Sequence, residues 1–290
     1  MDSKEATSKA AATEKSGGRL HSFMVRAGAG IVYAALFIGS LLFGVVPTAV
    51  FASVMSVLCC YEFYRIMRLD GKVPNEFVGL VASVLFPLSV LVDPVWLTVI
   101  NFLLVLLLGL WYVKNPRTRI ADVAVTAFGA IYTGLIMSTA ILLRESLSDP
   151  WGAVLVLGLF VSVWGSDTFA YLVGSAIGKH KLAPHISPNK SWEGFIAGLV
   201  FAMAVWCLLS FIPGVTMSIP LALAFGLING LAGVLGDLVE SRIKRNSGFK
   251  DSGTIMPGHG GLLDRCDSQF LVTLSGAILL VLGGCIPYVF

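Results

Sequence analysis

From about residue 27 onward the chain is a succession of long apolar runs separated by short polar joints. Nine runs can be bounded, at 27–45, 48–67, 77–92, 96–113, 122–143, 151–176, 192–212, 218–238 and 267–289. None alternates with the period of a strand, and each is near the roughly 20 residues a helix needs to cross about 30 Å of hydrocarbon. A bilayer offers no water to backbone N–H and C=O groups, so runs of this kind predict helices. The fold class read from the pattern is all-α: a polytopic integral membrane protein of about nine transmembrane helices. Trp96 and Trp111 stand at the two ends of the fourth run, as interfacial anchors do. The third run is short and contains Pro87, which predicts a tilted or broken helix.

Residues 1–25 are a polar tail without apolar period, expected to be disordered. Residues 26–290 read as one transmembrane domain. A polar lead before eight further apolar runs argues that the first run is a retained anchor and not a cleaved signal. Composition agrees: hydrophobic residues make up 56% of the chain and charged residues only 13%, against about 25% charged in a soluble domain. Cys59, Cys60, Cys207, Cys266 and Cys285 include no C-x-x-C pair and read as packing residues. No zinc spacing, Walker loop, Rossmann fingerprint or nucleophile–base pair is present, and no nucleic-acid partner is expected.

Charge position sets the topology. With the N-terminus inside, the inner segments are the tail and the joints after runs two, four, six and eight. They hold all the Lys and Arg residues but one, 19 of 20, and only Arg144 falls outside. By the positive-inside rule this predicts a cytoplasmic N-terminus and an odd number of spans. No internal repeat is evident, which speaks against a transporter.

The polar residues that could do chemistry fall into two blocks, 164–194 and 236–267. In the second, run eight continues past the hydrocarbon through Arg245, and on a continued helix Asp237, Ser241 and Lys244 share one face. An ionisable residue inside a span marks a functional site by default; the plainer alternative is that Asp237 pairs with a nearby Arg. Asp264 and Asp267 lie three apart at the start of the last run. With Asp237 they could bind one or two Mg²⁺ ions, although an acid at a helix start is also ordinary dipole stabilisation. Pro257 to Gly261 cannot be regular helix. Gly260 and Gly261 beside Lys250 and Arg265 suit a phosphate, to which His259 could donate.

In the first block Asp167 interrupts an apolar run and must face a polar cavity or a cation. Ser187-Pro188 reads as an N-cap followed by proline at the first helical position, which puts Lys190 in a first helical turn. A cation there runs against the helix dipole and points to an anionic ligand. Glu62, near the inner end of run two, reads as structural, either snorkelling to the interface or pairing with Arg65 or Arg68.

These residues resemble a known family. Ser241-x-Ile243-Lys244-Arg245, Lys250-Asp251-x-Gly253 and Pro257-x-His259-Gly260-Gly261-Leu262-x-Asp264-Arg265-x-Asp267 resemble the signature of phosphatidate cytidylyltransferases, also called CDP-diacylglycerol synthases. Asp167-Thr168-x-Ala170-Tyr171 and Ser187-Pro188-x-Lys190-Ser191-Trp192-Glu193-Gly194 resemble its second block. Ser175 stands where that family commonly has a basic residue. The resemblance implies transfer of a cytidylyl group from CTP to phosphatidic acid with Mg²⁺, and a second cation is an option. It implies that Asp237 and Asp264 bind metal, with Asp267 and Asp167 either as further ligands or as supports just behind the ligands. Asp237, Asp264, Lys244 and Arg265 are then the catalytic set. Lys190, Lys244, Arg245, Lys250 and Arg265 bind phosphates, and Ser187, Ser241 and His259 orient them. The expected location is the inner (plasma) membrane of a cell, with the site cytoplasmic and membrane lipid as partner. The oligomeric state stays open, a homodimer being one option. Two other readings compete: a related CTP-dependent polyprenol-type lipid kinase, and an ion-coupled transporter with Asp167 and Asp237 on its path.

Overall fold

A computed structural model describes residues 28–249, 251–253, 255–256 and 260–287. The polar tail, Lys250 and His259 lie outside the described residues. The described residues are helical almost throughout: α1 (Gly28–Leu42), α2 (Val45–Leu69), α3 (Glu76–Ser89), α4 (Val95–Lys114), α5 (Ile120–Ala130), α6 (Ile136–Glu145), α7 (Trp151–Ile177), α8 (Trp192–Leu209), α9 (Ile219–Asn246) and α10 (Leu263–Leu282). A π-helical turn, Ile131–Leu135, joins α5 to α6 into one span of 26 residues. Among the described residues seven helices are long and apolar enough to cross a membrane, and the fold is that of a multi-pass membrane protein. Each predicted run coincides with a helix, but α1 and α3 are shorter, at 15 and 14 residues. Pro87 lies inside α3 and does not break it.

Hydrocarbon leaves no backbone group free to be wasted, and the buried hydroxyls follow suit. Ser53, Thr126, Thr133 and Ser138 each donate to the carbonyl one turn back on their own helix. In the π turn, the Thr133 carbonyl also accepts from Ser56 of α2 at 2.8 Å. Asn229, buried in the middle of α9, accepts from Trp206 Nε1 of α8 at 3.1 Å. It donates to the Val272 carbonyl and the Ser275 hydroxyl of α10, both at 2.8 Å. One amide thereby ties three helices together in the apolar layer.

One departure from the all-helical expectation lies between α7 and α8. Two short antiparallel strands, β1 (Lys181–Ala183) and β2 (Ser187–Ser191), form a hairpin there. Ser187 is therefore not an N-cap and Lys190 is not in a helical turn. The N-cap of α8 is Ser191, whose hydroxyl accepts from Gly194 N at 3.2 Å. A Ser-Pro step also suits an edge strand, since proline there gives up an N–H that faces solvent, and pairing with β1 decides between the two.

The charged joints gather at one end of the bundle. Arg119, before α5, donates to the Gly71 carbonyl after α2 at 2.6 Å, and Asp122 accepts from Val73 N at 2.8 Å. Arg245, near the end of α9, reaches the Ile186 carbonyl in the hairpin turn at 3.4 Å. Arg144 stands apart from these joints: it is buried, donates to the Leu41 carbonyl in the last turn of α1 at 3.0 Å, and pairs with Asp149.

Candidate functional site

Four elements deliver the polar residues. Helix α7 brings Asp167, the hairpin brings Lys190, α9 brings Asp237, Glu240, Ser241 and Lys244, and α10 brings Asp264, Arg265 and Asp267. The expected continuation of run eight is real: α9 runs to Asn246, and Ser241 Oγ donates to Asp237 Oδ1 at 3.1 Å across one turn. Helices α9 and α10 come close because Gly236 is buried against the Asp267 carbonyl. A Cβ at that position would lie 2.6 Å from that oxygen.

Lys190 forms an ion pair with Asp237, each side chain about a quarter exposed. Asp167 lies within electrostatic reach of Asp237, Lys190 and Arg265, and Asp267 within reach of Asp237 and Asp167. Asp167, Lys190 and Asp237 line a cavity of about 560 Å³ between α7, the hairpin and α9, which Lys181 and Asn189 also line. The hairpin is held to α8 by His180, whose Nδ1 lies 2.7 Å from Glu193 Oε1.

One turn further along α9, Lys244 stands 2.6 Å from Glu240 Oε2 and 2.7 Å from Asp264 Oδ1. Asp264 also accepts from Ser252 N at 3.0 Å and from Gly261 N at 2.8 Å. Its carboxylate thus ties two points of the preceding loop to the first turn of α10, where an acid suits the helix dipole, and orients Lys244 as well. Gly260 adopts φ +84, a conformation that favours glycine, within contact distance of Asp264.

The structure therefore brings Asp167, Lys190, Asp237, Ser241, Lys244, Asp264 and Asp267 to one place. Arg245 is turned to the carbonyls of Ile186 and Phe249. Ser187 sits on β2, half-buried. Three residues escaped the sequence reading. Glu240 stands one turn before Lys244, a spacing that any i,i+4 pair shares, and Lys181 and Asn189 lie in the polar stretch between two apolar runs, so neither position stands out. Glu62 is also placed differently from expectation. It neither snorkels nor pairs with Arg65 or Arg68: it is 1% exposed and faces the loop before α10, while Arg68 pairs with Glu76.

Among the described residues, no three His, Cys, Asp or Glu side chains form a ready-made metal cage. The charge balance is nonetheless uneven. Asp167, Asp237, Glu240, Asp264 and Asp267 gather with Lys190, Lys244 and Arg265, so carboxylates outnumber cations in the group. Such hard oxygen donors suit a divalent cation such as Mg²⁺, which takes one or two carboxylates and fills its shell with water and phosphate oxygens.

Fold and site together define a multi-pass membrane protein with its acids and bases gathered at one end of the bundle. Residues 24–282 match the model of the cytidylyltransferase family, and the chain belongs to that family. It is 34% identical over 262 residues to the "Phosphatidate cytidylyltransferase" of Staphylococcus aureus (strain COL), covering 89% of this chain and 98% of that protein. The protein of the same name from Bacillus subtilis (strain 168) is 34% identical over 249 residues, 84% of this chain and 92% of its own length. That from Staphylococcus saprophyticus is 40% identical over 176 residues, 61% and 66% of the two chains.

Proposed function

We propose that this chain transfers the cytidylyl group of CTP to phosphatidic acid, giving CDP-diacylglycerol and pyrophosphate. Family membership supports the reaction class. The observation that carries it to this site is the Lys190–Asp237 pair beside Asp167 and Asp267, at the edge of a cavity bounded by membrane helices. A phosphate oxygen of the lipid attacks the α-phosphorus, a new P–O bond forms, and the bond to the β-phosphate oxygen breaks. The attacking oxygen is already anionic at neutral pH, so no general base is needed. What the site must do is hold two polyanions together and offset the charge on the leaving pyrophosphate.

Lys190 and Arg265 suit the phosphates next to the cavity. Lys244, gripped by Glu240 and Asp264, presents a fixed ammonium. Asp237, Asp267 and Asp167 are the residues that would hold Mg²⁺, and Asp264 joins them only by exchanging Lys244 for the metal. When bound, the cation would supply charge neutralisation on the polyphosphate. Ser241 keeps Asp237 oriented.

We further propose that all nine apolar helices span, α1 and α3 being the short ones, with the N-terminus and this site in the cytoplasm of a bacterial cell and the chain in its inner membrane. The distribution of Lys and Arg, and the meeting of the joints after α2, α4, α7 and α9, support that orientation. The test is incubation of purified protein with CTP labelled at the α-phosphate, Mg²⁺ and phosphatidic acid, followed by lipid extraction. Label in the lipid and release of pyrophosphate support the proposal. Release of CDP with unlabelled lipid points instead to a kinase.

A further inference from the structure

Glu62 lies 190 residues before Ser252 in the chain and touches it. Its Oε2 accepts from Ser252 Oγ at 3.1 Å and from Leu263 N at 2.8 Å. Leu263 opens α10, so this N–H is one of the donors that a helix start leaves unsatisfied, and an anion is favoured there. A Cβ on either Gly253 or Gly261 would run into the Glu62 carboxylate. Both arms of the loop therefore lie against it, and only glycine allows that approach. Asp264 holds the same two arms from the other side, through Ser252 N and Gly261 N. Ser252 is thus shared, its hydroxyl on one carboxylate and its N–H on the other.

A buried carboxylate is costly, and an apolar side chain of similar size commonly serves packing as well or better. Oε1 of Glu62 has no hydrogen-bond partner among the described residues, which adds to that cost. The position needs a reason beyond packing. We infer that Glu62 is a positioning residue for cytidylyl transfer: with Asp264 it clamps the base of the 252–263 loop, and so fixes Asp264 and, through it, the Lys244 ammonium. It acts from the N-terminal half of the chain on a site built by the C-terminal half. Its kinetic consequence rests on the reaction proposed above, but the clamp itself does not.

The test uses the full chain in detergent or nanodiscs, with two readouts: hydrogen exchange of peptides covering 251–263, and steady-state transfer with CTP varied. Glu62→Ala opens the clamp. Exchange across the loop rises while that of α7 and α8 stays as in wild type, and kcat falls by about 30- to 100-fold, in keeping with a displaced catalytic group. Glu62→Gln keeps an acceptor for Ser252 and Leu263, so it restores kcat to within about 5-fold of wild type, a neutral acceptor being roughly half as strong as a charged one. Wild-type loop exchange and kcat in Glu62→Ala overturn the inference. If Glu62→Ala does not fold, Ser252→Ala decides: faster loop exchange with kcat lowered about 3- to 10-fold supports the clamp, the net worth of one ordinary hydrogen bond being of that order, and wild-type values overturn it. Should wild-type protein not transfer label to phosphatidic acid, the proposed reaction fails, and the exchange data still judge the clamp.

Discussion

Lys244 is shared between two carboxylates on two helices, Glu240 Oε2 at 2.6 Å on its own α9 and Asp264 Oδ1 at 2.7 Å on α10. Glu240 and Lys244 are nearly inaccessible, their side chains 1% and 10% exposed. Removing the ammonium leaves two buried acids facing each other, and breaking a buried pair costs about 3–5 kcal/mol. Lys244→Met should therefore lower thermal stability in detergent and abolish transfer. Adding Glu240→Gln should recover part of the stability, since one orphan charge is gone, and none of the activity. Recovery of transfer in the double variant would show that Lys244 serves only to neutralise Glu240.

Gly236 sets the spacing of α9 and α10 beside Asp237 and Asp267. A methyl group there would lie 2.6 Å from the Asp267 backbone oxygen, and backbone cannot move aside as a side-chain tip can. Gly236→Ala should push α9 from α10, part Asp237 from Asp267, and lower kcat on the order of 100-fold. Gly233→Ala is the control on the same helix. Its methyl meets only Val272 Cγ2, at 3.1 Å, and kcat should stay within a few-fold of wild type. Equal losses in the two variants, measured on protein of matched helicity, would mean that helix packing in general, and not this junction, matters.

Asn229 tests the opposite case, a polar residue that holds the bundle without serving the site. Its amide joins Trp206, Val272 and Ser275. Asn229→Leu should destabilise by about 1–2 kcal/mol, the range for such bonds in membranes. Transfer per folded molecule should be unchanged. Thermal unfolding followed by activity at a temperature well below the transition separates the two effects.

The sequence made the helices legible because hydrocarbon imposes a single requirement, about 20 apolar residues with every backbone group paired internally, that composition alone displays. It made Asp167, Asp237 and Asp267 legible for the same reason, since acids in apolar runs stand out. Lys190 was expected to face an anionic ligand from a first helical turn; it stands on β2 and pairs with Asp237. Ser-Pro serves a helix start and an edge strand alike, and only pairing with Lys181–Ala183 decides. Glu62 and Glu240 were illegible as partners of the site. One sits next to Arg65 and the other one turn before Lys244, so each has a plausible local pair, and the contact that matters to Glu62 spans 201 residues. Long-range carboxylate contacts leave no periodic trace in a chain.

Cytidylyl transfer as proposed here depends on a divalent cation held by Asp237 with Asp267 and Asp167. The direct measurement is the rate of α-label transfer from CTP to phosphatidic acid as Mg²⁺ is removed by chelation and then restored, for wild type and for Asp237→Asn. Asp237 is half-buried and its partner Lys190 about a quarter exposed, so the variant should fold and insert. Wild-type activity should vanish on chelation and return with Mg²⁺. Asp237→Asn should be slower by about 100-fold or more at any Mg²⁺ concentration. Wild-type turnover that persists in excess chelator, or an Asp237→Asn variant with the wild-type rate and Mg²⁺ dependence, would contradict the proposal.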